Sequence, residues 1–165
     1  MKGFTKSLIA LAMLVAGSNA VASTGGKHDE LKRFVGKWNC NAKTADGKTW
    51  EATFEFKSLL GGKAVMENYS EKASKDHPAK DLFSTNGIWG FDANSGKFTG
   101  YNVAGDGSVN TRTSSGWTGD IWTWEVGDGL KFNFTEKGGK ELTCGVDVKG
   151  KDGTWANVNN LTCKK

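Results

Sequence analysis

Hydrophobic and polar residues alternate along most of this chain. The alternation is clearest in three segments, 49–57, 130–136 and 142–148. Their hydrophobic positions are Trp50, Ala52, Phe54, Phe56, Leu130, Phe132, Phe134, Leu142, Cys144, Val146 and Val148. A period of two places successive side chains on opposite faces of a β-strand. The pattern predicts antiparallel strands with one face buried and the other in water.

Turn sequences rich in glycine separate the alternating segments. They are Asp46-Gly47, Gly61-Gly62, Asn94-Ser95-Gly96, Asp106-Gly107, Gly127-Asp128-Gly129, Gly138-Gly139 and Asp152-Gly153. Such sequences are typical of hairpin turns, which need positive φ angles. The segments between them predict about ten strands, at 35–43, 48–58, 63–71, 82–91, 97–103, 108–114, 120–126, 129–137, 140–149 and 154–163.

Ten strands joined by hairpins, each with one buried face, are best accommodated by closing the sheet, which removes its edges. We therefore expect an all-β fold, an up-and-down antiparallel barrel, with an open sandwich as the alternative. A helical pattern occurs only at 28–35, where Leu31, Phe34 and Val35 recur at i, i+3 and i+4 before Gly36. This short helix is expected to plug one end of the barrel.

Residues 1–22 have the pattern of a signal peptide. Lys2 and Lys6 precede a nine-residue apolar stretch at 8–16, and Ala20 and Ala22 supply the small residues of a cleavage site before Ser23. The alternative, a membrane anchor, is too short, because nine helical residues reach only about 14 Å of a ~30 Å hydrocarbon core. We expect an exported protein, periplasmic or extracellular, with one domain at 23–165 and no membrane span after cleavage.

Composition and charge narrow the function classes. The chain has 165 residues, including seven Trp and nine Phe, and a formal net charge of +4. That length and aromatic content favour one domain with a packed core. Removing residues 1–22 takes away two lysines and no acidic residue, so the remaining charge is small. Because no segment concentrates basic and aromatic residues, we expect no nucleic-acid partner.

The three cysteines predict one disulfide and one spare thiol in an oxidising compartment. If the first and last strands are neighbours, a bond between Cys40 and Cys163 would join the two chain ends. The rival pair, Cys144 and Cys163, would join the last two strands. The spacing favours the first pair and leaves the second open.

The sequence also resembles a known bacterial family. The segments LKRFVGKWNC, LLGGKAVMENY, NGIWGFDANSGKFTGYNV, SSGWTGDIWTWE and DGTWANVNNLTCKK resemble, in this order, the family called domain of unknown function 1579. The resemblance covers most of 31–165 and implies a calycin-like, lipocalin-related β-barrel. Secreted members that pair a WxC on the first strand with a TCKK end resemble this chain, which favours the Cys40–Cys163 bond. The family has no established reaction to carry over.

The sequence has few candidate residues for metal binding, haem binding or catalysis. Both histidines, His28 before the helix and His77 in the 72–81 loop, are expected at the surface. Some barrels related to the family bind haem through a histidine, but no predicted strand carries one, so we expect no cofactor. Hydrolase and phosphate-loop motifs do not occur. The strand carboxylates Glu51, Glu55, Glu67 and Glu71 are expected to face outward, and we expect no enzyme activity.

Cavity binding remains as the predicted function. A barrel of this size can hold one small ligand, and its aromatic residues would give an apolar lining for a hydrophobic or aromatic compound. Trp38, Trp50, Phe54, Phe132 and Phe134 are expected to pack the core. The segment 98–117 is polar on both faces, so its candidate ligand-binding residues are Tyr101, Asn102, Asn110, Arg112 and Trp117. An inward Arg112 would need an anionic partner, for example a carboxylate ligand; the alternative is a surface ion pair.

Three protein classes make different predictions about the structure. A carrier predicts a cavity above ~300 Å³ with a polar residue at its base. A structural or protein-interaction module predicts a filled barrel with an apolar patch outside, for which the strand of Trp122 and Trp124 is a candidate. An enzyme predicts titratable residues converging in the cavity. The loop from Lys72 to Asp81 is either a lid over the barrel mouth or an ordinary hairpin connection.

Overall fold

The computed structural model describes residues 25–74, 77 and 81–165, so the predicted signal peptide at 1–22 lies outside the described residues. An α-helix, α1, spans Gly25–Glu30, and 3-10 turns follow at Leu31–Arg33 and Leu60–Gly62. The strands are β1 Gly36–Thr44, β2 Thr49–Leu59, β3 Ala64–Glu71, β4 Ser84–Asp92, β5 Lys97–Ala104, β6 Val109–Ser114, β7 Trp117–Thr118, β8 Ile121–Val126, β9 Leu130–Lys137, β10 Glu141–Lys149 and β11 Trp155–Lys164. In this part of the chain, no helix is long and apolar enough to cross a bilayer.

The strands form one antiparallel sheet that closes on itself. Strands β1 to β6 and β8 to β11 each pair with the next in the chain, and the two-residue β7 pairs with β8. Two further pairings close the circle: β1 with β11, and β6 with β8 through Thr113 and Glu125. The ten longer strands therefore form the predicted barrel, and the open sandwich is wrong.

The N-terminal helical segment fills one end of the barrel. Leu31 and Phe34 are fully buried, and the Phe34 carbonyl accepts a hydrogen bond from Trp38 Nε1 at 2.7 Å. The helix begins at Gly25, three residues before the predicted start. Within this segment the Asp29 carboxylate pairs with Lys32 at 2.6 Å. The predicted plug at this end is confirmed, with a different start.

The alternating hydrophobic positions face the barrel interior as predicted. Trp38, Trp50, Phe54 and Phe134 are at most 5% exposed, and Phe132 packs against the same cluster. Trp122 and Trp124 are fully buried, so the expectation that their strand presents an outer apolar patch is wrong. Their pairing with Phe134 and Phe132 across β8 and β9 puts all four rings on the inner face.

An outer apolar patch does occur, on strands β4 to β6. It consists of Ile88, Tyr101, Val103 and Val109, which are 40% to 56% exposed. Ile88 lies opposite Tyr101, and Val103 lies opposite Val109. The patch is therefore contiguous.

The first and last strands are joined by a disulfide. Cys40 on β1 lies directly opposite Cys163 on β11, and their sulfur atoms are bonded. This confirms the favoured pair. Cys144 lies opposite Leu161 and not Cys163, so the rival pair is wrong and Cys144 has a free, buried thiol.

Candidate functional site

A small cavity occupies the half of the barrel opposite the helical plug. Its volume is about 160 Å³, and six aromatic rings line it: Trp50, Phe54, Tyr69, Phe83, Phe132 and Phe134. This volume is below the ~300 Å³ that the carrier class predicts. The plug end is filled because Phe34 packs there against Phe56, Trp89 and Trp122.

A buried carboxylate forms the polar base of the cavity. Glu67 is 2% exposed, and its Oε2 accepts hydrogen bonds from Trp89 Nε1 at 3.1 Å, Asn102 Nδ2 at 2.6 Å and Arg112 at 3.0 Å. The expectation that Glu67 faces outward is wrong. Glu67 lies on the same face of β3 as Val65 and Tyr69, two residues before and after it, and this period-two pattern is the sequence signal that could have shown its inward position.

Two glycines make room for the partners of Glu67. Asn102 lies opposite Gly87 on β4, and Arg112 lies opposite Gly100 on β5. A Cβ atom on Gly100 would lie 2.8 Å from Arg112 Cγ, closer than real side chains approach. The Arg112 stem therefore lies over the bare backbone of the neighbouring strand, and Asn102 does the same over Gly87.

A second carboxylate, Glu71, stands at the mouth. It accepts hydrogen bonds from the Tyr69 hydroxyl at 3.0 Å and the Phe83 backbone N–H at 2.9 Å, and it contacts His77 Nε2 at 3.1 Å. Burial raises the pKa of the Tyr69 hydroxyl above its ordinary value of 10.0, so the hydroxyl stays protonated and donates. The Glu71 side chain is only 10% exposed, so its predicted outward position is also wrong, whereas Glu51 and Glu55 do face solvent.

His77 brings the described part of the 72–81 loop to this mouth. Its side chain is 4% exposed, and its ring centroid lies 5.7 Å from that of Trp50. The expected surface position of His77 is wrong, because Glu71 and Trp50 cover the ring. His28 is half-buried, and the centroid of its ring lies 6.0 Å from the centroid of the Phe91 ring. The lid role of the loop stays a prediction.

The free thiol of Cys144 also lines the cavity. Burial raises its pKa above the ordinary value of 9.0, and the nearby Glu67 carboxylate raises it further. The thiol is therefore protonated and a poor nucleophile at neutral pH.

Four buried polar atoms of residues that line the cavity have no hydrogen-bond partner among the described residues: Trp50 Nε1, Thr85 Oγ1, Asn110 Oδ1 and Arg112 Nε. Arg112 is 4% exposed and Thr85 is 8% exposed. Buried polar groups in folded proteins are nearly always paired. These four atoms are exceptions, and the wall of the cavity therefore contains polar groups that the described residues leave unpaired.

The structure brings together three of the five sequence-predicted site residues. Asn110 and Arg112 line the cavity, and Asn102 donates a hydrogen bond to Glu67 at its base. Tyr101 is 55% exposed on the outer face, because it alternates with the inward Asn102. Trp117 lies at the plug end, where its indole N–H donates to the Glu30 carbonyl at 2.9 Å. Neither Tyr101 nor Trp117 lines the cavity.

The described residues contain no group of three or more His, Cys, Asp or Glu side chains placed to hold a metal ion.

The fold and the cavity together define a closed, calycin-like antiparallel β-barrel with a small internal cavity at one end. The family model described as "Protein of unknown function (DUF1579)" matches residues 23–120, more than half of the chain. The chain belongs to this family. A search of curated proteins finds no significant match.

Several solved structures are similar to this chain. Rv2717c from M. tuberculosis has a TM-score of 0.62 at 14% identity, covering 83% of this chain and 95% of that chain. The redesigned β-barrel mFAP0, bound to DFHBI, has a TM-score of 0.46 at 10% identity, covering 81% and 99%. The S-type phycobiliprotein lyase CPES from Guillardia theta has a TM-score of 0.41 at 8% identity, covering 84% and 90%. At these identities the likeness concerns the fold alone, and of these three only Rv2717c is similar enough to support it.

Proposed function

We propose that this protein is an exported binding protein that holds one small hydrophobic or aromatic molecule in the barrel cavity. The observation that carries the proposal is the aromatic-lined cavity of about 160 Å³ with buried, unpartnered polar atoms in its wall. An apolar cavity of about 150 Å³ is sufficient for a benzene-sized guest. The ligand is therefore a single ring or a compound of similar bulk.

The charges around the cavity favour a neutral ligand. The Arg112 guanidinium, for which a carboxylate ligand was one expectation from the sequence, is already paired with Glu67 at 3.0 Å. Glu71 adds a second carboxylate to the lining. A carboxylate ligand would place another negative charge beside these two in a buried site, where like charges repel strongly.

We propose that the protein binds its ligand and does not catalyse a reaction on it. Glu67 Oε2 accepts three hydrogen bonds, and Glu71 is held by Tyr69, Phe83 and His77. Both carboxylates are thus engaged in structural contacts. The raised pKa of Cys144 removes the thiolate that a covalent mechanism would need.

Export, to the periplasm or the cell exterior, is proposed from the pattern at 1–22. The disulfide between Cys40 and Cys163 supports it, because such bonds persist mainly in oxidising compartments. Expression with and without residues 1–22, followed by fractionation, tests this part. A chain that stays reduced in the cytoplasm in both cases would contradict it.

Ligand binding is tested by native mass spectrometry of the protein purified from its own host, followed by calorimetric titration with single-ring aromatic compounds. Val146 lines the cavity, so Val146→Phe should fill it and abolish binding. The matched control is Val103→Phe on the outer face, which should leave binding unchanged. An apo mass together with no titration signal from any compound would overturn the proposal.

The second candidate function is a structural or protein-interaction module. The outer patch of Ile88, Tyr101, Val103 and Val109 favours it, since Asn86 and Thr111 beside these residues are also uncharged. Copies of a chain with a net positive charge repel one another least at such an uncharged face, so the occupant would be a second copy. Sedimentation of the protein and of Ile88→Lys tests this; a monomer at all concentrations would remove the candidate.

A further inference from the structure

One residue of the cavity wall lies outside the strands of the barrel. Among the described residues that line the cavity, all except Phe83 belong to β2, β3, β4, β6, β9, β10 or β11. Phe83 comes directly before β4 and is 46% exposed, whereas the other described lining residues are buried or half-buried. One side of Phe83 therefore faces the cavity, and another faces water.

The other described parts of the wall are closed more firmly. The strands are joined by ladders of backbone hydrogen bonds, and a ligand could pass between them only if several of these bonds broke together. At the plug end, Leu31 and Phe34 are fully buried. A single residue pair joins β6 to β8, but on the inner side of this seam the Arg112 guanidinium lies 5.3 Å from the Phe132 ring. The easiest route into the cavity is therefore at the mouth, past Phe83.

Two hydrogen bonds fix the backbone of Phe83 and do not involve its ring. Glu71 Oε2 accepts a hydrogen bond from the Phe83 N–H at 2.9 Å, and the Glu71 N–H donates to the Phe83 carbonyl at 3.1 Å. The centroid of the Phe83 ring lies 6.1 Å from that of Tyr69, within the range of weak aromatic pairs. Because the backbone is held, the ring moves by rotation of its own side chain, and such rotations are fast at exposed residues.

We propose that Phe83 is the gate of the cavity and that Glu71 positions it. Rotation of the Phe83 ring toward solvent opens the cavity, so that a ligand can enter or leave. In its closed position the ring completes the wall and limits the ligand to a single aromatic ring. The inference rests on the proposed function, because it concerns access to the same cavity.

The gate is tested by fluorine NMR exchange spectroscopy with fluorobenzene, a neutral probe with one ring. Phe83→Ala should raise the association rate of this probe about tenfold or more, because no ring then has to move before the probe can pass. The association rate is the diagnostic quantity, since loss of a contact with a bound ligand raises mainly the dissociation rate. Phe83→Tyr keeps a ring at the mouth and should exchange the probe as slowly as the native protein does.

The size limit is tested with 1-fluoronaphthalene, a probe with two fused rings. Phe83→Ala removes one phenyl ring from the wall, so we expect it to bind this probe about tenfold more tightly than the native protein does. The matched control is Leu82→Ala, because Leu82 is 47% exposed and is not among the lining residues. This control should change neither the exchange of fluorobenzene nor the affinity for 1-fluoronaphthalene.

The positioning role of Glu71 is tested in two backgrounds. Glu71→Ala removes the carboxylate that holds the Phe83 N–H, so it should raise the association rate of fluorobenzene about two- to tenfold, the equivalent of one net hydrogen bond. In Phe83→Ala the same substitution should add nothing, because no ring is left to position. Equal acceleration in both backgrounds would mean that Glu71 acts independently of Phe83, and would contradict its positioning role.

The possible outcomes separate this inference from the proposed function. If fluorobenzene binds, and its association rate is the same in the native protein and in Phe83→Ala, the gate is wrong while the proposed function stands. The gate is also wrong if Leu82→Ala accelerates exchange as much as Phe83→Ala. If Phe83→Ala binds 1-fluoronaphthalene no better than the native protein, the ring does not limit ligand size. If neither protein binds either probe, the proposed function fails and this inference with it.

Discussion

Arg112 and Glu67 are paired inside the barrel at 3.0 Å, although they lie 45 positions apart in the chain, on β6 and β3. Both side chains are at most 5% exposed. Arg112, for which the sequence suggested an anionic ligand, thus has its counter-ion in the protein. The pair forms the floor of the cavity and sets the charge that a ligand meets.

Breaking this pair on one side should destabilise the fold strongly. Arg112→Met leaves the Glu67 carboxylate buried without its cation, which costs about 3–5 kcal/mol in comparable sites. The double variant Arg112→Met with Glu67→Met removes both charges, and we expect it to be more stable than either single variant. Urea denaturation of the three variants measures the free energies of unfolding. Additive losses in the double variant would contradict a direct pairing.

The glycine opposite Arg112 should not tolerate a methyl group. Gly100→Ala brings a Cβ to 2.8 Å from Arg112 Cγ and 3.2 Å from Trp89 Cδ1, so we expect a loss of about 1–3 kcal/mol from overpacking. Gly90→Ala on β4 is the matched control, because nothing lies within 4 Å of its added Cβ. Thermal denaturation of both variants separates the two sites; equal effects would show that loss of glycine itself matters and that contact with Arg112 does not.

Removing the disulfide should lower the stability of the fold, because the unfolded chain then gains conformational entropy. The bond joins residues 123 positions apart, so in the chain-entropy model the paired change Cys40→Ser with Cys163→Ser costs about 2–5 kcal/mol. Thermal melts with and without reductant measure the loss in the native sequence. In Cys144→Ala, reductant should lower the melting temperature as much as it does in the native sequence. A Cys144→Ala protein whose melting temperature does not change with reductant would disprove the pairing.

Stability should fall as the pH rises above about 9. Burial raises the pKa of Cys144 and of Tyr69 above their ordinary values of 9.0 and 10.0, so the unfolded chain loses these protons first. Each group then favours unfolding by up to about 1.4 kcal/mol for each further pH unit. Urea denaturation between pH 7 and 10.5 measures the slope. Cys144→Ala should flatten the segment above pH 9, and an unchanged slope would show that the thiol titrates normally.

Local patterns in the sequence predicted most of the elements. Alternation at 49–57 placed Trp50, Phe54 and Phe56 inside, and the structure confirms all three. The same rule applied to Val65, Glu67 and Tyr69 indicates an inward Glu67, but a lone glutamate is expected in water, and that expectation was wrong. Trp117 lies away from the cavity for a different reason: its ring packs on Phe34 and Arg33 at the plug end.

The sequence by itself determined the strands, their inner faces and the short helical segment, because these depend on residue periodicity and turn chemistry within about a dozen neighbouring positions. Only the tertiary structure decided that Glu67 neutralises Arg112 and that Gly87 and Gly100 lie under their partners. It also placed Cys40 against Cys163 and left about 160 Å³ empty at one end. These features depend on register and on closure of the sheet, which bring together side chains far apart in the chain and are not encoded in any single segment.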